Sequence, residues 1–243
     1  MFNNFFYALK LLTGVPLKIN EKVDTEKAII MFPVTGFFIG MVLYVLNLTL
    51  RRFLPEGIKD FIIIFVWFFI AEGIDPKRFS NSMKQITDGF KMKGGIVHIA
   101  GHYRIGVNMS VIIIVLLSLK AVAFYRVSFL IKGGVLLAVP VISRAGIVFM
   151  NYLLRFTPVQ VDNNQQLVQK TDKKELYITG IMAIIVGLLL LWKGIVLLVM
   201  MYGFIYTSYL YIKKRKFTVS DGIIMTFCEL SEIVGLITIA LLH

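Results

Sequence analysis

Long apolar runs without charge limit what this chain can become more than any other feature. Ala28–Leu50 extends over 23 positions with no charged residue, and Ile105–Leu119 is uncharged and continues past Lys120 to Tyr125. Leu176–Trp192 and Gly194–Ile212 are split only by Lys193, and Gly222–Leu242 carries only Glu229 and Glu232. Crossing a bilayer as an α-helix takes about 20 predominantly apolar residues. A membrane β-barrel would instead alternate apolar and polar positions. The runs therefore predict an all-α, polytopic membrane bundle in which each backbone satisfies its own hydrogen bonds. A hydrophobic content of 58% and a mean hydropathy of +0.80 agree with that class.

The candidate spans are 28–50, about 61–73, 105–125, 129–154, 176–192, 194–212 and 222–242. Six to eight helices are expected, with seven the best count, in one integral membrane domain covering 1–243. The second span is short, eleven apolar residues before Glu72. The stretch 129–154 contains Lys132, Pro140 and Arg144 and reads as one kinked helix or two short ones. Loop charge favours one. With seven spans the basic loops 74–104, 155–175 and 213–221 fall on one side, and the excess of Lys and Arg predicts that side to be cytoplasmic. The net charge of +12 follows these loops, so nucleic acid is not an expected partner; the lipid bilayer is. The first twenty residues lack the charged start and small-residue cleavage site of a secretory leader, and their helical apolar spacing predicts an interfacial amphipathic helix. The lone cysteine, Cys228, excludes an internal disulfide.

Glu229 and Glu232 stand three residues apart on one helical face, seven and ten residues into the last span. A charge near mid-membrane costs at least about 2.5 kcal/mol on insertion scales, so the pair must face the bundle interior and find protons, a basic partner or a metal. The plain alternative is an ion pair to Arg144 or Lys193. "NSMKQITDGF" places Asn81, Gln85 and Asp88 at helical spacing, a stripe of oxygen donors that suits a hard cation and its phosphate ligand. A solvated helix face explains the stripe equally. Glu72 and Asp75 precede Pro76 and read as interfacial polarity. His98 and His102 are four apart, but Gly101 weakens a helix between them and no H-E-x-x-H pattern is present. Arg104 is a candidate phosphate contact or a membrane-edge anchor, and Asp221 is a candidate cap for the last helix that turns toward the site. No Walker loop, Ser/His/Asp arrangement or heptad occurs.

Four landmarks, in order along nearly the whole chain, resemble the cobalamin synthase (adenosylcobinamide-GDP ribazoletransferase) family. "FFYALKLLTGVPLKI" resembles that family's A-L-x-F-L-T-R-I-P, and "MFPVTGFFIGMVLYVL" its F-P-L-V-G-x-x-I-G. "RIG" at 104–106 resembles the end of its M-K-D-S-R-I-G, and "SDGIIMTFCELSEIVGL" its T-G-D-x-L-G-A-x-x-E-L-x-E. Glu229 and Glu232 fall on the two acidic positions of that last motif. The acidic stretch H-L-D-G-L-A-D-T-A-D-G aligns with "RFSNSMKQITDG" from Phe79 onward; its three aspartates fall on Asn81, Gln85 and Asp88, so one carboxylate remains.

The resemblance implies a transfer that joins adenosylcobinamide-GDP to α-ribazole or its 5′-phosphate, with release of GMP. It further implies Mg²⁺ as cofactor, held by Asp88, Glu229 and Glu232 as catalytic and metal residues. Substrate phosphates would lie near Arg104, Asn81, Gln85 and Asp221, and the site would open to the cytoplasm from the cell (inner) membrane. A homo-oligomer or association with other cobalamin-pathway enzymes belongs to the same expectation. Two alternatives stay open: an inactive family member that binds a corrinoid or nucleotide or scaffolds a partner, and a small proton-coupled transporter using the two glutamates as a relay.

Overall fold

The computed structural model describes residues 2–13, 25–72, 109–157, 167, 171–215 and 219–242. These form helices α1 (Phe2–Thr13), α2 (Thr25–Ile30), α3 (Phe32–Leu50), α4 (Glu56–Glu72), α5 (Met109–Arg126), α6 (Phe129–Leu154), α7 (Lys173–Gly187), α8 (Trp192–Arg215) and α9 (Asp221–Leu241). A single 3-10 turn, Leu188–Leu190, follows α7, and no strand occurs among the described residues. Among the described residues, four segments are long and apolar enough to cross a membrane: Lys27–Leu50, Phe129–Leu154, Trp192–Lys214 and Asp221–Leu241. The all-α membrane bundle expected from the apolar runs is the fold observed.

Helix α6 is its axis. It is one helix through Pro140, not two. Proline has no N–H to give to the carbonyl four residues back, so Leu136 O loses its usual helical donor. The glycines of α3 meet this segment. A Cβ on Gly40 would lie 2.6 Å from Leu136 O, and one on Gly36 would lie 2.5 Å from Pro140 O. Only the absence of side chains lets the two backbones approach so closely, the small-residue logic of membrane helix pairs. The seam fixes α3 along α6 and leaves α6 and α9 as the most enclosed spans, 78% of each apolar window being buried against 33% for α8.

Elsewhere the ends shift for identifiable reasons. The second span begins at Glu56, after Pro55, rather than near 61, because Lys59 and Asp60 are buried inside the helix. The junction expected at Lys193 lies at Leu191, whose φ of 55° is left-handed. That strain costs roughly 1 kcal/mol or more for a residue with a Cβ. The turn is tight enough that a Cβ on Gly194 would overlap Gly187 O, at 1.8 Å. Lys193 is then the second residue of α8 and sits 5.9 Å from the Trp192 ring centroid.

Two apolar clusters fill the interior. One gathers Leu43, Trp67, Phe124, Leu136 and Leu236; the other gathers Leu12, Phe32, Leu154, Leu167 and Ile223. Helix α1 joins the second through Ala8, Leu11 and Leu12, with Phe5 edge-on to Phe38, and so behaves as the amphipathic helix its spacing predicts.

Candidate functional site

Helix α9 presents Glu229 and Glu232 to the bundle interior, as their shared face requires. Both are buried, at 4% and 0% exposure. Lys120 of α5 reaches between them: its Nζ donates to Glu229 Oε2 at 2.9 Å and to Glu232 Oε2 at 2.6 Å. Arg144 of α6 donates through Nη1 to Glu232 Oε1, and through the same nitrogen to Ser143 Oγ at 2.8 Å. Ser143 Oγ lies 2.9 Å from Glu232 Oε1 and 3.0 Å from Pro140 O, so its single proton serves one acceptor at a time. Trp67 of α4 closes the remaining side, its ring centroid 4.3 Å from Lys120 Nζ, a cation–π contact.

Four helices thus meet at one buried network with two carboxylates and two cations. The balance is what makes it tolerable: removing one partner from a buried, hydrogen-bonded pair leaves an uncompensated charge. The two acids are not equivalent. Both oxygens of Glu232 are occupied, by Lys120 on one side and by Arg144 and Ser143 on the other. Glu229 keeps Oε1 buried with no hydrogen-bond partner.

The described residues show how the charge of the two acids is met. A divalent cation needs net negative charge from its ligands, and here Lys120 and Arg144 already offset both carboxylates. A cavity beside Ser143, lined also by Gly146, Met150 and Cys228 among others, measures about 10 Å³, the room of one water at most. No group of three His, Cys, Asp or Glu side chains able to hold a metal occurs among the described residues. As placed, Glu229 and Glu232 are paired with Lys120 and Arg144, the ion-pair alternative, with Arg144 as expected and Lys120 in place of Lys193. A larger cavity of about 310 Å³ between α3, α6 and α7 is lined by Pro33, Val34, Phe37, Val141, Met182, Ile185 and Val186. Its walls are wholly apolar, so it offers a phosphate nothing.

Asp221 takes a different place from the one expected. The cap of α9 is Ser220, whose hydroxyl accepts from Ile223 N–H at 3.3 Å. The Asp221 carboxylate accepts from Leu167 N–H at 2.9 Å, while Asn151 Nδ2 donates to Leu167 O at 2.7 Å. Leu167 is therefore held through both its N–H and its C=O, at the start of α9. Burial and the nearby Asp221 charge push the Tyr7 phenol above its ordinary range. Arg155, on the same side, pairs with Asp172, whose N–H is taken by Glu175 at 2.7 Å in a capping box that starts α7. Asp88, Asn81, Gln85, Arg104, His98 and His102 lie outside the described residues.

Lys120 is the residue the sequence reading passed over. Its signal was present, since it is the one charge inside the 105–125 run, and a lone mid-span cation demands an acid. Ser143 and Trp67 gave no comparable signal.

Comparison with known proteins bears on the whole chain. A family model described as cobalamin-5-phosphate synthase matches residues 4–240. The adenosylcobinamide-GDP ribazoletransferase of Clostridioides difficile (strain 630) is 27% identical over 98% of this chain and 97% of its own length. The protein of that name from Clostridium tetani (strain Massachusetts / E88) is 25% identical over 88% and 86%, and that of Alkaliphilus metalliredigens (strain QYMF) is 25% identical over 95% and 92%. No solved structure matches.

Proposed function

This chain belongs to the cobalamin-5-phosphate synthase family, and from that premise we propose that it is an adenosylcobinamide-GDP ribazoletransferase of the cell membrane. The observation that carries the reading is the extent of the match, residues 4–240, which covers the nine described helices but for the first two residues of α1 and the last of α9, and includes the acidic motif of α9. In the proposed reaction a ribose hydroxyl of α-ribazole, or of its 5′-phosphate, attacks the phosphorus that bears adenosylcobinamide. A new P–O bond forms, the anhydride P–O bond to GMP breaks, and the hydroxyl proton passes to a base.

The network divides the labour between the two acids. Glu232, saturated by Lys120, Arg144 and Ser143, is a positioning residue that locks α9 to α5 and α6. Glu229 is the candidate functional acid: its Oε1 is the one carboxylate oxygen of the pair without a donor, and it lies one turn nearer the start of α9. Mg²⁺ belongs to the proposal through Asp88 and the substrate's own diphosphate, not through Glu229 and Glu232. Bound there it would neutralise phosphate charge. Arg104, Asn81, Gln85 and Asp221 complete the proposed phosphate-facing set, opening on the cytoplasmic side where the basic loops lie.

The test is an assay of the purified protein in lipid nanodiscs with adenosylcobinamide-GDP and α-ribazole, with and without Mg²⁺. GMP and a base-attached corrinoid are expected from the wild type. Glu229→Gln should cut turnover at least about 100-fold, the scale of losing an acid–base group, while remaining folded. Corrinoid binding without GMP release would instead establish the inactive-member reading, which Asn81 and Gln85 at two of the family's acidic positions favour. A relay transporter is disfavoured by the pairing of both glutamates with fixed cations.

A further inference from the structure

A second buried charge cluster lies at the end of the bundle where α3 stops and α4 and α6 begin. It plays no part in the reaction above. Lys132 Nζ of α6 donates to Asp60 Oδ2 of α4 at 2.5 Å. Lys59, beside it in sequence, has its ammonium 3.5 Å from Asp60 Oδ1, too far for a hydrogen bond. Lys59 is 1% exposed and its Nζ has no hydrogen-bond partner. One carboxylate therefore faces two buried ammonium groups.

The surroundings add positive potential rather than remove it. Lys59 and Lys132 both stand in the first turn of their helices, where the backbone dipole is itself positive and favours anions over cations. Arg51, exposed at the end of α3, stacks on the Phe129 ring with Cζ 3.9 Å from its centroid; Lys59 Nζ lies 5.9 Å from the same centroid. Arg52 and Arg126 are exposed at this end, against a single further acid among the described residues, Glu56. This is the end opposite the start of α9, where basic residues work against the charge bias that orients membrane helices. Orientation does not account for them.

We propose that this end of the bundle binds a phosphate anion, and that the anion is the headgroup of an acidic phospholipid. Arg51 meets the phosphate at the surface, and Lys59, on a flexible four-carbon stem one ring away, supplies the second charge. The lipid source follows from the rim. Leu130, Phe53 and Ile58 are 89%, 77% and 54% exposed around the cations, an apolar collar that suits acyl chains and offers free phosphate nothing. The proposal stands independently of the transferase reading.

The experiment measures thermal unfolding of the full chain in nanodiscs of phosphatidylcholine alone and of phosphatidylcholine with phosphatidylglycerol, and in detergent with inorganic phosphate. The acidic lipid should raise the wild-type midpoint by several degrees. Lys59→Met, which leaves the Lys132–Asp60 pair intact, and Arg51→Gln, a surface change, should each remove most of that rise. Arg126→Gln, an exposed cation off the ring, should keep it. An undiminished rise in both Lys59→Met and Arg51→Gln, or an equal loss in Arg126→Gln, would overturn the site as diffuse surface charge. No rise in the wild type would overturn it outright. An equal rise with inorganic phosphate in detergent would overturn the lipid assignment.

Discussion

The two buried clusters use the same chemistry to opposite effect. In the middle of the bundle Lys120 and Arg144 meet Glu229 and Glu232, two charges against two, with Ser143 and the Trp67 ring filling in. At the α4–α6 end Lys59 and Lys132 share Asp60, with Arg51 a ring away. A balanced network is a staple: two cations offset two acids and hold the helices, with Glu229 Oε1 the one carboxylate oxygen left over. An unbalanced one stores a demand for an anion. Burial alone does not tell the two apart, since Arg144 and Lys59 are among the largest fully buried side chains of the protein.

That contrast can be broken most forcefully at Arg144. Arg144→Met strands Glu232 Oε1 without its guanidinium and should cost about 3–5 kcal/mol, the scale for breaking a buried pair, read as denaturant or thermal unfolding in detergent. Replacing both partners, Arg144→Met with Glu232→Met, should recover most of that loss. If the double variant is no better than the single, the network is not a closed pair. Next, Glu229→Gln keeps an acceptor for Lys120 but leaves two buried cations against one carboxylate, and should cost about 1.5–3 kcal/mol, the scale of a hydrogen bond to a charged group, while turnover collapses. A stability loss as large as that of Arg144→Met would make Glu229 a staple too. Gly36→Ala drives a methyl into Pro140 O and should cost about 1–3 kcal/mol as an overpacked contact. It loosens α6, which carries both clusters, so the two should weaken together. The smallest effect is expected at Lys59→Met in neutral lipid, within about 0.5 kcal/mol of the wild type, because it removes a charge that nothing hydrogen-bonds. A loss near that of Arg144→Met would erase the distinction between the clusters.

The helical class was legible because it rests on solvent, not on partners: a run such as Ala28–Leu50 can satisfy its backbone in lipid only as a helix. The inward face of Glu229 and Glu232 was legible for the same reason, as was one basic partner, Arg144. Helix starts were less so. Lys59 and Asp60 read as a polar boundary to the second span, yet they are inside α4, because Lys132 reaches Asp60 from a helix more than seventy positions away. Lys193 read as a partner for the glutamates, and Lys120 took that place because α5 packs against α9 at their depth while Lys193 opens α8 at the bundle's end. Asp221 read as a cap, and the shorter Ser220 hydroxyl took the cap while the carboxylate turned to Leu167.

By itself the sequence determined that the chain is a helical membrane bundle, that two acids are enclosed in its last helix, and that its motifs run in a known family's order. Hydrophobic length and the cost of charge in lipid are local quantities, readable one segment at a time. Which cation meets which acid, and whether the charges at a given depth cancel, was decided only by the packing of helices distant in sequence. Coulomb attraction depends on separation in space, and the close α3–α6 seam at Gly36 and Gly40 sets those separations.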